Sequence, residues 1–169
     1  MKRLLHGLFG LTLLLTTTVF AQVNSTSFKD SYIKNIIIQI PNDLNPLLDL
    51  LKKKGFQIKF ESPPRRGVYG LFQWKSKTLW ISPISFEMGI GRQIILHEAA
   101  HAAQSCPYGS LSPIGWKLPI SQSIRNEVQA NLLRNYVTSQ YSIEEEAFYL
   151  QSQKNGVELL IEAINVRCR

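Results

Sequence analysis

The sequence predicts an α+β fold, with a small antiparallel sheet that contains a hairpin and is followed by helices. Two observations support this class. Segments rich in β-forming residues fall within positions 56–82. From position 91 onward, apolar residues recur at helical spacing. Internal repeats and low-complexity segments are absent from the sequence, so we expect a single domain over residues 32–169.

The first 21 residues have the three parts of a secretory signal peptide. Lys2 and Arg3 precede an apolar run that ends at Phe20, and Ala21 provides a small residue for cleavage before Gln22. The alternative is an uncleaved membrane anchor, but the run is short for a membrane span. We therefore expect an exported protein, secreted or periplasmic, with a signal peptide over residues 1–21 and a flexible polar arm over residues 22–31.

Local spacing predicts the elements of the N-terminal half. Residues 45–54 are expected to form a helix, because four leucines share one face and Pro46 suits the first turn. Residues 56–60 alternate between apolar and polar and predict a strand. The β-rich segments 68–74 and 78–82 are joined by a short turn, which predicts a hairpin.

The C-terminal half is predicted to be helical. A loop rich in Pro, Gly and Ser separates the first two helices, and Ser142 with Glu145 forms a capping box ahead of the third. The predicted helices cover residues 91–105, 121–140, 147–154 and 157–166.

Charge and composition restrict the partners. The formal net charge is +7, and two of the basic residues lie in the predicted signal. A modest basic excess favours anionic surfaces such as cell-wall polymers, although it is also compatible with ordinary solubilising charge. No cluster of basic and aromatic residues suggests nucleic-acid binding. No second apolar run has spanning length, so we expect no stable membrane insertion after signal cleavage. We also expect a monomer.

Cys106 and Cys168 are the two cysteines of the chain. In the oxidising environment that export implies, an even pair favours a disulfide over two thiols. Such a bond would tie the last helix to the region after the helix at 91–105. The loop-entropy model gives it a stabilisation of roughly 3–4 kcal/mol.

The segment from His97 to His101 reads His-Glu-Ala-Ala-His and lies in the helix predicted at 91–105. Two histidines four residues apart lie on one helical face, where their imidazoles can bind one zinc ion. A glutamate directly after the first histidine, here Glu98, can deprotonate a zinc-bound water. The remaining histidine, His6, lies in the predicted signal peptide.

A catalytic zinc needs a third protein ligand, and no further histidine can supply it. A carboxylate on a neighbouring helix is therefore expected. We select Glu127, which follows a loop long enough to reverse the chain, and Asn131 lies one turn further on the same face. Asn131 could orient a ligating histidine by a hydrogen bond. Glu127 could instead be an exposed helix charge, as could the other C-terminal glutamates: Glu144, Glu145, Glu146, Glu158 and Glu162.

These residues resemble the gluzincin family of zinc metallopeptidases, which carry HExxH on one helix and a glutamate ligand on a following helix. The matching residues are His97, Glu98, His101, Asn126 and Glu127. The chain departs from the family pattern at Asn131, where aspartate is usual, and we expect this to lower zinc affinity or activity. The order of elements looks like that of small single-domain minigluzincins and implies a zincin-like fold. The resemblance covers roughly residues 56–140.

In peptidases of this kind, the strand before the motif helix is an edge strand that pairs with extended substrate. The resemblance places this role on Leu79, Trp80 and Ile81. The alternative is that these residues belong to the core. For the oxyanion of the tetrahedral intermediate, the residues leave several candidates open: Tyr108, Tyr136, Tyr141, Arg125 and Arg134.

The sequence therefore favours an exported zinc peptidase that hydrolyses peptides or proteins as an endopeptidase, with Glu98 as general base. One alternative is a catalytically weak or inactive envelope binding module that zinc stabilises. Asn131 and the unassigned oxyanion residue motivate it. A purely structural role without any metal is the third possibility.

Overall fold

The computed structural model describes residues 30–32, 34–35, 40–107 and 109–169. The predicted signal peptide lies outside the described residues, as do residues 22–29 of the predicted arm. The chain separates into two compact units, Met1–Ile38 and Gln39–Arg169. In the first unit, residues 30–32 and 34–35 are helical and exposed, so the last two residues of the predicted arm belong to a helix. None of the described helices is both long and apolar enough to cross a membrane.

The second unit has an α+β fold, which confirms the predicted class at this level. Its elements are α1 (Asn45–Lys53), β1 (Gln57–Lys59), β2 (Gly70–Gln73), β3 (Thr78–Ile81), α2 (Ile84–Glu87), α3 (Gly91–Gln104), α4 (Gln122–Asn135), α5 (Tyr141–Gln151) and α6 (Gly156–Arg167). Short 3-10 turns lie at Asn42–Leu44, Trp74–Ser76 and Thr138–Gln140. The strands and most helices thus occur where the local patterns predict them. The ends of α4 and α5 differ from the prediction, and the short helix α2 was not predicted.

The three strands form a mixed sheet in the order β1-β3-β2. The predicted hairpin is confirmed, because β2 and β3 are antiparallel. The prediction of a wholly antiparallel sheet is wrong, since β1 pairs in parallel on the far side of β3. The prediction of an edge strand at Leu79, Trp80 and Ile81 is also wrong. β3 is the central strand, and Leu79 and Ile81 are fully buried in the core.

Helix α3 is the centre of the packing. It contacts α5, α6, β2 and β3, and every residue from Ile95 to Gln104 is buried. A helix that is buried on all sides needs small residues where neighbours approach, and Ala99, Ala100, Ala102 and Ala103 are fully buried. The histidine motif on this helix is consequently part of the interior.

Helices α4 and α5 differ from the prediction at their ends. The first ends at Asn135 rather than at residue 140, and the second begins at Tyr141 rather than at residue 147. The predicted capping box of Ser142 and Glu145 is wrong, because the N-cap of α5 is Gln140 and no side chain caps the helix. The run of three glutamates at 144–146 therefore lies within α5.

The predicted disulfide between Cys106 and Cys168 is confirmed. It joins the chain just beyond α3 to the chain just beyond α6. Arg167 strengthens this connection, since its guanidinium donates to the carbonyl oxygens of Ala103 (3.0 Å) and Ser112 (3.3 Å). The C-terminal ends of α3 and α6 are thereby fixed to each other. Disulfides of this kind persist in oxidising compartments.

Candidate metal centre

Three buried side chains converge between α3 and α5. The Nε2 atoms of His97 and His101 are 3.1 Å apart. Oε2 of Glu144 lies 3.2 Å from Nε2 of His97 and 3.4 Å from Nε2 of His101. Each residue is less than one-tenth exposed. These three residues form a group that could hold a metal ion.

The spacing of these atoms fits a tetrahedral metal site. Nitrogen and oxygen ligands about 2.0–2.1 Å from a zinc ion, at tetrahedral angles, lie about 3.3 Å from one another. The three distances observed here, between 3.1 and 3.4 Å, bracket that value. The donor set of two imidazoles and one carboxylate is also that of known catalytic zinc sites.

Gln104 determines the tautomer of His101. Its amide nitrogen donates to the Ile143 carbonyl (2.9 Å) and to Glu146 (2.9 Å), which leaves its amide oxygen facing the imidazole. Nδ1 of His101 lies 2.8 Å from that oxygen. Because an amide oxygen only accepts hydrogen bonds, Nδ1 carries the proton and donates it. In the neutral ring, Nε2 of His101 is then unprotonated, and its lone pair is free to bind a cation.

The same arrangement holds at His97. Its Nδ1 lies 3.0 Å from the amide oxygen of Gln151, and its ring packs against Phe148 with ring centres 4.6 Å apart. With the Gln151 amide in this orientation, Nδ1 of His97 donates to it, and Nε2 is unprotonated in the neutral ring. Two lone pairs and a carboxylate oxygen then face one another, and they need a proton or a metal cation between them.

The charges of the cluster act on its own pKa values. Burial raises the pKa of Glu144, but the hydrogen bonds and charges of His101 and His97 outweigh burial and lower it to about 2. Burial lowers the pKa of His101. The hydrogen bond and charge of Glu144 and the charge of Glu98 together raise it by more, so the net shift is upward. Glu144 is thus an anion at neutral pH, as a metal ligand must be.

Glu98 lies beside the cluster and is buried to the same extent. Burial raises the pKa of Glu98, against the lowering effects of His97, of His101 and of a hydrogen bond from the backbone N–H of Phe72. A carboxyl group with a raised pKa beside two imidazoles is suited to take up and release a proton.

Gly70 gives Glu98 the space it occupies. A Cβ atom on Gly70 would overlap Oε1 of Glu98, and would lie 2.9 Å from its Cδ and 2.6 Å from Cγ2 of Ile94. Strand β2 can pass this close to α3 only where it has no side chain. Glycine is required here by the close approach of the two elements.

A cleft of about 460 Å³ opens above the cluster. Its walls come from three segments. One is α3, with His97 and Glu98, another is the chain before β2, and the third comprises α4 and α5. Tyr136 lies in the cleft wall, half buried. Burial, the charges of Glu144 and Glu98 and a hydrogen bond to Glu144 raise its pKa, while the charge of Arg65 lowers it.

The structure brings together His97, Glu98 and His101 as predicted, but the carboxylate beside the histidines is Glu144 and not Glu127. Helix α4 buries Val128 and Leu132 and packs against α5, whereas α5 packs directly against α3. Glu127 is exposed on α4 and lines a separate small depression with Val128.

Asn131, which was predicted to orient a ligating histidine, and Asn126, which matches the gluzincin pattern, make other contacts in the structure. Asn126 is exposed and accepts a hydrogen bond from Gln122 (2.8 Å). Asn131 lines the cleft and accepts from Asn135 (2.5 Å). Gln104 and Gln151 contact the histidines instead, and neither was predicted.

Helical spacing on α5 is the signal that could have indicated Glu144. Ala147 and Leu150 are apolar and fully buried, and Glu144 precedes Ala147 by one turn on the same face. Glu146 lies one turn before Leu150 and accepts hydrogen bonds from the backbone N–H groups of Ile114 (2.7 Å) and Gly115 (2.7 Å). A run of three glutamates resembles a solvated helix surface, yet two of these three are buried.

Comparison with known proteins identifies no relative of this chain. No protein-family model matches the chain, and neither a curated protein nor a solved structure matches it. Interpretation of the site therefore depends on its own residues and geometry.

We predict that Glu144 and not Glu127 contributes to zinc binding. Glu144→Gln should weaken zinc affinity by more than about 100-fold, since loss of an outer-shell partner alone costs about 10- to 100-fold. The matched control is Glu127→Gln, which should bind zinc like the unmodified chain. Competition titration against a chelator measures both. Zinc binding lost in Glu127→Gln but kept in Glu144→Gln would reverse the assignment.

We predict that Gly70→Ala destabilises the protein by about 1–3 kcal/mol through overpacking. Removing the Glu98 carboxylate should relieve part of this cost, so the same substitution in a Glu98→Ala background should destabilise less. Denaturant unfolding of the four proteins in this cycle measures the coupling. Equal costs in both backgrounds would contradict the contact between Gly70 and Glu98.

We predict opposite pH dependences with and without zinc. The raised pKa values of Glu98 and His101 mean that the folded metal-free protein binds more protons than the unfolded chain, so its stability should fall between about pH 5 and pH 8. Glu144 changes little here, because the contribution of its lowered pKa is lost only as the pH falls from its ordinary value of 4.5 toward about 2.

Zinc binding requires deprotonated ligands, so added zinc should stabilise the protein more at the higher pH. At a zinc concentration about 100 times the Kd, the gain is about 2.7 kcal/mol, or roughly 5–10 °C in Tm. Thermal unfolding at both pH values, with zinc and with a chelator, tests this. An equal zinc-induced rise in Tm at both pH values would contradict it.

Proposed function

We propose that this protein is an exported zinc-dependent peptidase that hydrolyses peptide bonds, with Glu98 as general base. One observation carries the proposal. The Nε2 atoms of two imidazoles and an anionic carboxylate converge within 3.4 Å, beside a second buried carboxyl group. A structural metal site needs no such second carboxyl, whereas hydrolysis needs a base that is not a ligand.

His97, His101 and Glu144 would hold the zinc ion. Gln104 and Gln151 fix the two rings with their Nε2 atoms toward it, which is the usual means of orienting ligating histidines. When bound, zinc supplies polarisation of the scissile carbonyl and lowers the pKa of a coordinated water to about 7.

Glu98 would take the proton of the attacking water and pass it to the leaving amine. Its burial supports this role, because a raised pKa lets the carboxyl group hold a proton between the two steps. The backbone N–H of Phe72 and the missing side chain at Gly70 fix its position. Strand β2 thus positions the base.

Tyr136 is the best-placed residue to stabilise the oxyanion. Among the five candidates from the sequence, it is the one that lines the cleft, and Tyr108 lies outside the described residues. Its raised pKa keeps the phenol protonated, which a hydrogen-bond donor requires. Arg125 is instead placed over the ring of Tyr149, at 5.9 Å.

The substrate would lie along the chain that enters β2 and not along β3. Gly67, Val68 and Tyr69 line the cleft, and β2 is an outer strand of the sheet. An extended peptide could follow this outer side past Glu98. The zincin-like fold implied by the gluzincin resemblance is part of the same proposal, with the glutamate ligand moved from α4 to α5.

We predict that Glu98→Gln keeps zinc and loses hydrolysis by about 100- to 10,000-fold, the range for loss of a general base. Quenched-fluorescence peptides measure hydrolysis, and metal analysis of the same samples measures zinc. Glu127→Gln is the control and should keep full activity.

Full activity in Glu98→Gln would overturn the mechanism. A zinc-loaded unmodified chain that cleaves none of the peptides would favour the alternative, a zinc-stabilised binding module.

A further inference from the structure

Two arginines stand at the mouth of the cleft. Arg65 and Arg66 line it from the loop that precedes β2, and both side chains are exposed. Within the described part of the chain, neither forms an ion pair or a hydrogen bond. The charge of Arg65 nevertheless lowers the pKa of Tyr136, so its guanidinium lies near the inner cleft.

The charge balance of the cleft favours anions. Glu98 is the one carboxylate among the residues that line it, and it is buried at the base, where the proposed chemistry occupies it. Asn131 and Asn135 add neutral amides to the lining. The two acidic groups whose charges reach the cleft, Glu98 and Glu144, are buried at its base, whereas the described residues at the entrance contribute two positive charges. A positive entrance attracts negatively charged ligands.

The arginines also lie between two depressions. The segment from Arg65 to Tyr69 lines the cleft on one side and a depression of about 310 Å³ on the other, which Ser82 and Ile84 complete. Pro63 and Pro64 restrict the backbone that leads to the arginines. A ligand that extends from the cleft over this segment would pass both guanidinium groups.

We infer that Arg65 and Arg66 are specificity-determining residues that bind a carboxylate of a peptide substrate. This inference depends on the proposed function for the peptide, but not on hydrolysis. The planar guanidinium pairs with a carboxylate in two parallel hydrogen bonds, which gives a stronger and more directional contact than lysine does.

The carboxylate could belong to a Glu or Asp side chain or to a substrate C-terminus. Three peptides of equal length distinguish these sources. The first has internal glutamates and an amidated C-terminus, the second is neutral with a free C-terminal carboxylate, and the third is neutral with an amidated C-terminus.

The test compares the full chain with an Arg65→Ala, Arg66→Ala double variant. The matched control is Lys52→Ala, Lys53→Ala, which removes the same charge from exposed positions on α1. Zinc-loaded Glu98→Gln forms of all three report peptide binding by fluorescence anisotropy, and the forms with Glu98 intact report kcat/KM. Binding can thus be read even where nothing is cleaved.

The chain with both arginines should bind a carboxylate peptide about tenfold or more tightly than the neutral amidated one. The arginine variant should lose this preference while it keeps zinc and its affinity for the neutral peptide. The lysine control should keep the preference.

Equal affinity for all three peptides, or an equal loss in the lysine control, would overturn the inference. A preference that depends on the arginines without any cleavage would preserve the inference and overturn the proposed hydrolysis.

Discussion

The site depends on the orientation of two imidazole rings inside the protein core. Gln104 is fully buried, and its amide is held by Ile143 and Glu146, so it can only accept from His101. This contact, with that of Gln151 on His97, turns both Nε2 lone pairs toward Glu144. Burial makes the arrangement costly without a compensating cation or proton, because polar groups removed from water need partners. These two glutamines, of which Gln104 is fully buried, therefore determine what the histidines can bind.

The packing of α3 explains how a polar cluster can lie within an apolar core. Four fully buried alanines let α5, α6 and the sheet approach α3 closely. His97, Glu98 and His101 are buried on the same helix. Every buried charge in this region has a partner. Glu144 faces the histidines, Glu98 accepts from Phe72, and Glu146 accepts from Gln104 and from two backbone N–H groups. The stability of the fold and the geometry of the site thus depend on the same contacts.

Local patterns predicted those parts of the structure that depend on neighbours in sequence. The hairpin, the pair His97 and His101 on one helical face and the disulfide pairing of two cysteines required no knowledge of distant packing. The central place of β3 depends on which side of it β1 joins, and the third carboxylate depends on which helix packs against α3. Neither follows from local spacing. The mistaken start of α5 had a direct effect, because a helix that begins at residue 147 leaves Glu144 outside it.

Because Glu144 and not the predicted Glu127 lies beside the histidines, α4 has a different role from the one predicted for it. A helix that supplied a metal ligand would have to pack against α3, whereas α4 packs against α5 and buries only Val128 and Leu132. It is therefore free to form the far wall of the cleft, through Asn131 and Asn135. Asn131 then needs no negative charge, because no imidazole depends on it for a hydrogen bond. An amide at this position adds no negative charge to the cleft lining, which is compatible with the anionic ligand inferred above. Asn131 thus differs from the gluzincin pattern at a position in the cleft lining and not beside the candidate metal ligands, and its expected effect on zinc affinity or activity stays a prediction.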